Sequence, residues 1–232
     1  MKLIKHYDFA HLTKLPEDWT VAVGEKWSNN ELQQYVNSEE NLFFRDGLVI
    51  KATLEDGIIK SGRLHTKNKF KFKYGLVEVI AKIPSGKGTW PAIWMMPNDS
   101  VYGGWPKSGE IDIMEHTANS LDELFFCIHT EKYNHKFKEQ YYSKKLFKGI
   151  TKEFHKFSLL WEEDKFVYYL DDVEVASYLK GQDGKDQTHA GWPFNEEFYL
   201  ILNLAMGGIF GGEVDMQSFP QEFIIKDVKV YQ

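Results

Sequence analysis

FSLLWEEDKFVYYLDDVEVASY, residues 157–178, reads as three strands joined at Glu163-Asp164 and Asp171-Asp172. Its runs of aromatic and β-branched residues suit a pleated surface, and the acidic pairs between them suit tight turns. That is an antiparallel meander. On the N-terminal side, Val77, Val79, Ala81 and Ile83 alternate with more polar positions until Pro84-Ser85-Gly86 ends the run, the period of a half-buried strand. On the C-terminal side, Phe198–Ala205 and Phe223–Tyr231 have the same composition. Helical pattern is confined to a turn or two near Ser143–Phe147 and Met216–Glu222. Many short strands with little helix predict an all-β domain of two packed antiparallel sheets.

The chain has 232 residues, 43% of them hydrophobic and 16% aromatic, enough for one sizeable core and one domain over 1–232. Charged residues make up 27%, with 28 basic against 34 acidic and a net charge of −6. No basic block or stripe appears, which argues against nucleic acid as a partner. No apolar run approaches the ~20 residues of a membrane-spanning helix. The start, MKLIKHYDF, lacks the hydrophobic stretch of a secretory signal. A lone cysteine, Cys127, excludes an internal disulfide and a multi-cysteine metal site, and in LFFCIH it reads as buried filler. A monomer is the default expectation.

WPKSGEIDIMEH, residues 105–116, carries the chemistry. Glu110, Asp112 and Glu115 fall within six positions of an otherwise apolar strand. In a regular strand Glu110 and Asp112 share a face while Glu115 points away; one extra residue in a β-bulge at Met114 puts all three on one face. Grouped carboxylates raise one another's pKa, so the cluster needs a use. Hydrolysis of a glycosidic bond by a nucleophilic carboxylate and a general acid is one, with the central Asp holding a proton between them. A divalent-ion site or a solvated strand face are the others.

Tryptophan stacks on the C–H faces of sugars. Trp90, Trp105 and Trp192 each stand next to proline in a Gly-rich or polar setting and are expected at a cleft rim, whereas Trp19, Trp27, Trp94 and Trp161 are expected in the core.

At SGEIDIMEH the chain resembles glycoside hydrolase family 16, especially its laminarinase-like bacterial members. Glu110-x-Asp112-x-x-Glu115 follows GTWPAIW (88–94), and the likeness extends through NNELQQY (29–35), DGLVIKA (46–52), SGRLHTKNKF (61–70), YGLVEVIAKIPSGKGTWPAIWMMP (74–97), HTEKYNH (129–135), WPFN (192–195), LILNLAMGG (200–208) and FPQEFIIKDVKVYQ (219–232). The resemblance implies a jelly-roll sandwich with a groove across its concave face and hydrolysis of internal β-linkages with retention. Glu110 would be the nucleophile, Glu115 the general acid/base and Asp112 the assisting acid. Arg63 resembles a sugar-contacting arginine, and Asn30 and Glu31 resemble a loop closing the groove. Trp90, Trp105 and Trp192 resemble stacking platforms, and His129 and Asn203 resemble inward polar groups near the acids.

The resemblance implies no cofactor for catalysis, but a structural calcium ion on the far side of the sandwich. Asp227 shares strand parity with Phe223, Ile225 and Tyr231, and a carboxylate on an apolar face wants a cation or hydrogen bonds. Asp8 and the Gly47 carbonyl would complete the protein ligands. His129 and His135 lack a third ligand at a zinc-like spacing. The expected substrate is β-1,3-glucan, with or without β-1,4 links. A galactan endohydrolase or transglycosylase on the same acids, and a carbohydrate-binding lectin on the same fold, are the competing readings. Family members work on polymers outside cells, while MKLIKHYDF carries no export signal; the location is open.

Overall fold

Alternating burial decides how the strands assemble. In Gly75–Lys82, Val77, Val79 and Ala81 are buried and the residues between them are not, as one core-facing side requires. This strand pairs antiparallel with His155–Trp161 on one side and Gln221–Tyr231 on the other. The meander continues the sheet as His155–Trp161, Lys165–Leu170 and Val173–Leu179. Asp171 and Asp172 have φ of 49° and 69°, the two left-handed residues of a type I′ hairpin turn.

The computed structural model describes all residues, 1–232. Its first sheet has ten strands: Val173–Leu179, Lys165–Leu170, His155–Trp161, Gly75–Lys82, Gln221–Tyr231, Leu48–Glu55, Ile58–Ser61 and Gln34–Tyr35 in spatial order, with Leu3–Tyr7 and Leu42–Phe44 attached. The second has seven: Tyr141–Leu146, Glu123–His129, Glu110–His116, Thr89–Pro97, Phe198–Met206, Arg63–His65 and Thr20–Val21. All pairings are antiparallel except Gln34–Tyr35 with Lys60–Ser61. A single cluster of 42 buried residues draws on both sheets. Buried phenols tie one sheet to the backbone of the other: Tyr168 donates to the Cys127 carbonyl at 3.2 Å and Tyr178 to the Phe126 carbonyl at 2.7 Å. No helix is long and apolar enough to cross a membrane.

Two local expectations are corrected. Ser143–Phe147 is not helical; Tyr141–Leu146 is a strand at the sheet edge, because its backbone pairs with Glu123–Ile128. Around Met216–Glu222 the chain turns on Asp215, whose side chain accepts from the Gln217 amide, and re-enters a strand at Gln221; Pro220 is incompatible with a continuing helix.

The strand parity expected of Asp227 is also corrected. A register shift between Ile225 and Asp227 breaks the assumed parity, so Phe223, Ile225, Val228 and Val230 face the core and Asp227 does not. Asp227 instead meets His6 Nε2 at 3.0 Å and Lys229 Nζ at 3.5 Å. Asp8 meets His11 Nδ1 at 2.7 Å, and the Gly47 carbonyl accepts the Arg45 amide at 2.9 Å. Each of the three expected ligands thus has a partner within the protein.

Candidate active site

The site grows from one irregularity in the strand Glu110–His116. Between Asp112 and Met114 this strand advances two residues while its neighbour advances one, from Trp94 to Ile93. Ile113 and Met114 are both fully buried, as is Ile111. The extra residue keeps the apolar side chains in the core and returns Glu115 to the face of Glu110 and Asp112. All three acids line one cleft of about 610 Å³ on the outer face of the seven-stranded sheet.

The adjacent strand Glu123–His129 supplies the residues beneath them. Cross-strand partners point to the same face, and here His129 lies opposite Glu110 and Cys127 opposite Asp112. His129 Nε2 is 3.6 Å from Glu110 and 3.4 Å from Asp112. Cys127 is buried, as filler would be, but its Sγ lies 3.4 Å from the same imidazole nitrogen. Asp112 Oδ2 and His129 Nδ1 are buried with no hydrogen-bond partner.

Removal from water is the largest influence on all three carboxyls and pushes each up to about 8. The charge of Asp112 raises Glu110 and Glu115 further, and His129 draws both of them down. Glu115 is also drawn down by the Trp90 indole, which donates to its Oε1 at 2.9 Å. Nothing comparable lowers Asp112. Like charges this close do not all ionise near neutrality, and their protons leave in steps that belong to the cluster. Asp112 is the member best placed to keep its proton.

The walls follow from strand parity. Along Thr89–Pro97, Trp90, Ala92, Trp94 and Met96 line the cleft, while Pro91, Ile93 and Met95 are buried on the other side. Arg63 is held between two indoles, its guanidinium 4.9 Å from the Trp27 ring and 4.8 Å from that of Trp94, in cation–π range of both. Trp94 Nε1 donates to Asn203 Oδ1 at 2.6 Å, and Asn203 Nδ2 donates to the Tyr35 hydroxyl at 3.0 Å. Gln33 donates to Glu31 at 2.7 Å. Burial, the largest cause, raises the pKa of Glu31 while Gln33 and Arg63 oppose the rise. At the other wall Trp105 packs near His129 and His135, at centroid distances of 6.1 and 5.2 Å, with Lys136 Nζ 5.0 Å above its ring.

Glu110, Asp112, Glu115, Arg63, Trp90, Trp105 and Asn203 therefore share one cleft, with His129 under its floor. Two candidates do not join them. Trp192 is 4% exposed, packs on Tyr141, Phe166 and Phe194, and donates to the Glu163 carbonyl at 3.0 Å; it is a core residue, not a stacking platform. Asn30 is exposed and does not line the cleft, whereas its neighbours Ser28, Asn29 and Glu31 do. Trp27 and Trp94, expected in the core, are cleft walls. The parity of Trp94 with Trp90 was the available signal. Asn203 finds its hydrogen-bond partners within the protein, in Trp94 and Tyr35.

The sequence profile described as "Glycosyl hydrolases family 16" matches residues 26–218. A curated relative, the beta-glucanase of Rhodothermus marinus, is 36% identical over 97% of this chain and 82% of its own length. A glucan endo-1,3-beta-glucosidase of Cryptopygus antarcticus is 36% identical over 86% of this chain and 78% of its own. The crystal structure of the laminarinase from Rhodothermus marinus superposes with a TM-score of 0.94, at 34% identity, covering 100% of this chain and 97% of that one. A bulged strand with three acids on one sugar-sized cleft, and agreement of fold and sequence over nearly the whole length, place this chain in glycosyl hydrolases family 16.

Proposed function

We propose that the protein is an endo-acting, retaining glycoside hydrolase that cleaves β-1,3-glucan, including mixed β-1,3/1,4 forms. The observation that carries this reading is the acid triplet on the floor of an indole-walled cleft. Glu110 attacks the anomeric carbon as a carboxylate, and Glu115 delivers its proton to the departing glycosidic oxygen. The glycosyl ester on Glu110 is then opened by a water whose proton returns to Glu115, so two inversions give net retention. Asp112, protonated, limits the negative charge beside both glutamates and keeps their tasks separate. The Trp90 indole N–H orients the Glu115 carboxyl. Trp94, braced by Asn203 and Arg63, and Trp105 on the opposite wall supply the apolar faces on which sugar rings stack.

The relatives named above as beta-glucanase, glucan endo-1,3-beta-glucosidase and laminarinase support the choice of substrate. A sulfated galactan fits less well, because Lys107 is paired with Glu131 at 3.5 Å and Lys136 sits over Trp105.

The test is release of reducing ends from laminarin, lichenan, barley β-glucan, agarose and κ-carrageenan by the wild type and by Glu110→Gln. Release from laminarin that the substitution abolishes is the expected result. Release only from a galactan overturns the substrate, and binding without any release overturns catalysis in favour of a lectin.

A further inference from the structure

We propose that the floor of the cleft is also a binding site for a soft divalent cation of the zinc type, with Cys127, His129 and Asp112 as ligands and Glu110 beside them, and that the bound ion blocks catalysis. The inhibition half of this proposal rests on the hydrolase reading; the binding half does not.

Three donor types that zinc accepts, a thiol sulfur, an imidazole nitrogen and a carboxylate oxygen, lie within 4.8 Å of one another, and all three residues are buried. Ligands at zinc–ligand bond lengths in a tetrahedron stand roughly 3.3–3.6 Å apart. Here His129 Nε2 is 3.4 Å from Cys127 Sγ, 3.4 Å from Asp112 Oδ2 and 3.6 Å from Glu110 Oε1. The imidazole nitrogen thus already stands at tetrahedral-edge distance from three other donor atoms. Asp112 Oδ2 points into this cluster, is buried, and accepts no hydrogen bond, which leaves a lone pair free where a ligand is needed.

Sequence spacing hides the set because its members come from two strands. The pairings Asp112 with Cys127 and Glu110 with His129 are what bring the four together. Entry is from the cleft, which Glu110 and Asp112 line. On binding, the Cys127 thiol and the Asp112 carboxyl each give a proton to solvent, and the thiolate and the carboxylate take the metal; no oxidation is involved. A metal held there ties up the nucleophilic carboxylate and places a positive charge where the oxocarbenium-like sugar must form, so it acts as an inhibitor and not as a cofactor.

Cobalt(II) reports this site directly, since a tetrahedral thiolate ligand gives a sulfur-to-cobalt charge-transfer band that oxygen and nitrogen ligands do not. Wild type, Cys127→Ser and Cys127→Ala are titrated with cobalt(II) by absorption and with zinc(II) by calorimetry, after circular dichroism and melting confirm that each is folded. The expected result is one cobalt per chain with the charge-transfer band in the wild type, and loss of the band in both variants. Zinc affinity should fall by at least about ten-fold, the lower end of what removal of even an outer-shell partner does. On laminarin, zinc inhibition should be competitive, reversed by a chelator, and weakened by the same factor in each variant relative to its own metal-free rate. Absence of stoichiometric binding, a cobalt spectrum without the band, or equal zinc potency in all three proteins overturns the proposal. Failure of laminarin hydrolysis alone leaves the spectra to decide it.

Discussion

Replacing Asp112 by Asn should move stability in the variant's favour, and increasingly so as the pH rises. Burial raises the Asp112 carboxyl from 3.8 to about 8, and only 4% of its side chain meets solvent. Because the folded chain holds this proton more tightly than the unfolded chain, the stability it confers is complete below the unfolded value and is lost as the pH climbs through the folded one. At pH 7 the unfolded carboxyl has been ionised over some 3 pH units during which the folded one has not, and at about 1.4 kcal/mol per pH unit this is on the order of 4 kcal/mol. At pH 4, close to the unfolded value, both states still hold much of the proton and the penalty has barely begun. A buried amide brings its own, pH-independent cost of about 1–3 kcal/mol, so the useful quantity is the change in the difference between variant and wild type. Urea denaturation of both proteins from pH 4 to 8 should show that difference moving in the variant's favour by about 4 kcal/mol by pH 7. A difference that stays constant across the range would refute the claim that the floor acids resist ionisation in the folded state.

Three further outcomes are expected. The rate on laminarin should follow a bell-shaped pH profile, rising as the first proton leaves the acid cluster and falling as Glu115 loses its own at or above about pH 8; an activity that keeps increasing past pH 9 would contradict the acid role of Glu115. Glu115→Gln should lower turnover of laminarin by about 10²–10⁴-fold, with a much smaller effect on formation of the glycosyl-enzyme from an aryl glycoside whose leaving group needs no proton, measured by burst kinetics. Trp192→Ala should destabilise the fold by about 3–5 kcal/mol through the cavity it opens and leave KM unchanged in the folded fraction, while Trp94→Ala should raise KM for laminarin oligosaccharides; the reverse pattern in melting and steady-state assays would restore Trp192 to the cleft.

The strands and their pairing logic were readable because alternation and turn chemistry agree, as at Asp171-Asp172, where both residues adopt the left-handed backbone that the hairpin demands. The acid triplet was equally readable once the odd spacing of Glu115 was assigned to a bulge. What failed did so for identifiable reasons. Beyond its buried first residue, Tyr141, the edge strand Tyr141–Leu146 is polar and mostly exposed, so no burial pattern marked it as a strand. Proline beside Trp192 suggested a rim loop, but the loop dips inward and seats the indole among Tyr141, Phe166 and Phe194. Asp227 was misplaced by a second bulge that no carboxylate spacing advertised. The proximity of Cys127 to Asp112 is a matter of register between strands, which local sequence does not state.

In the proposed mechanism Glu110 forms a covalent bond to the sugar. An activated 2-deoxy-2-fluoro laminaribioside slows both chemical steps and lets the ester accumulate, so intact-mass spectrometry followed by peptide mapping reads the attachment site. One laminaribiosyl adduct per chain is expected, carried by Glu110 and absent from Glu110→Gln. A label on Glu115 or another side chain, in a protein that turns over laminarin, would contradict it.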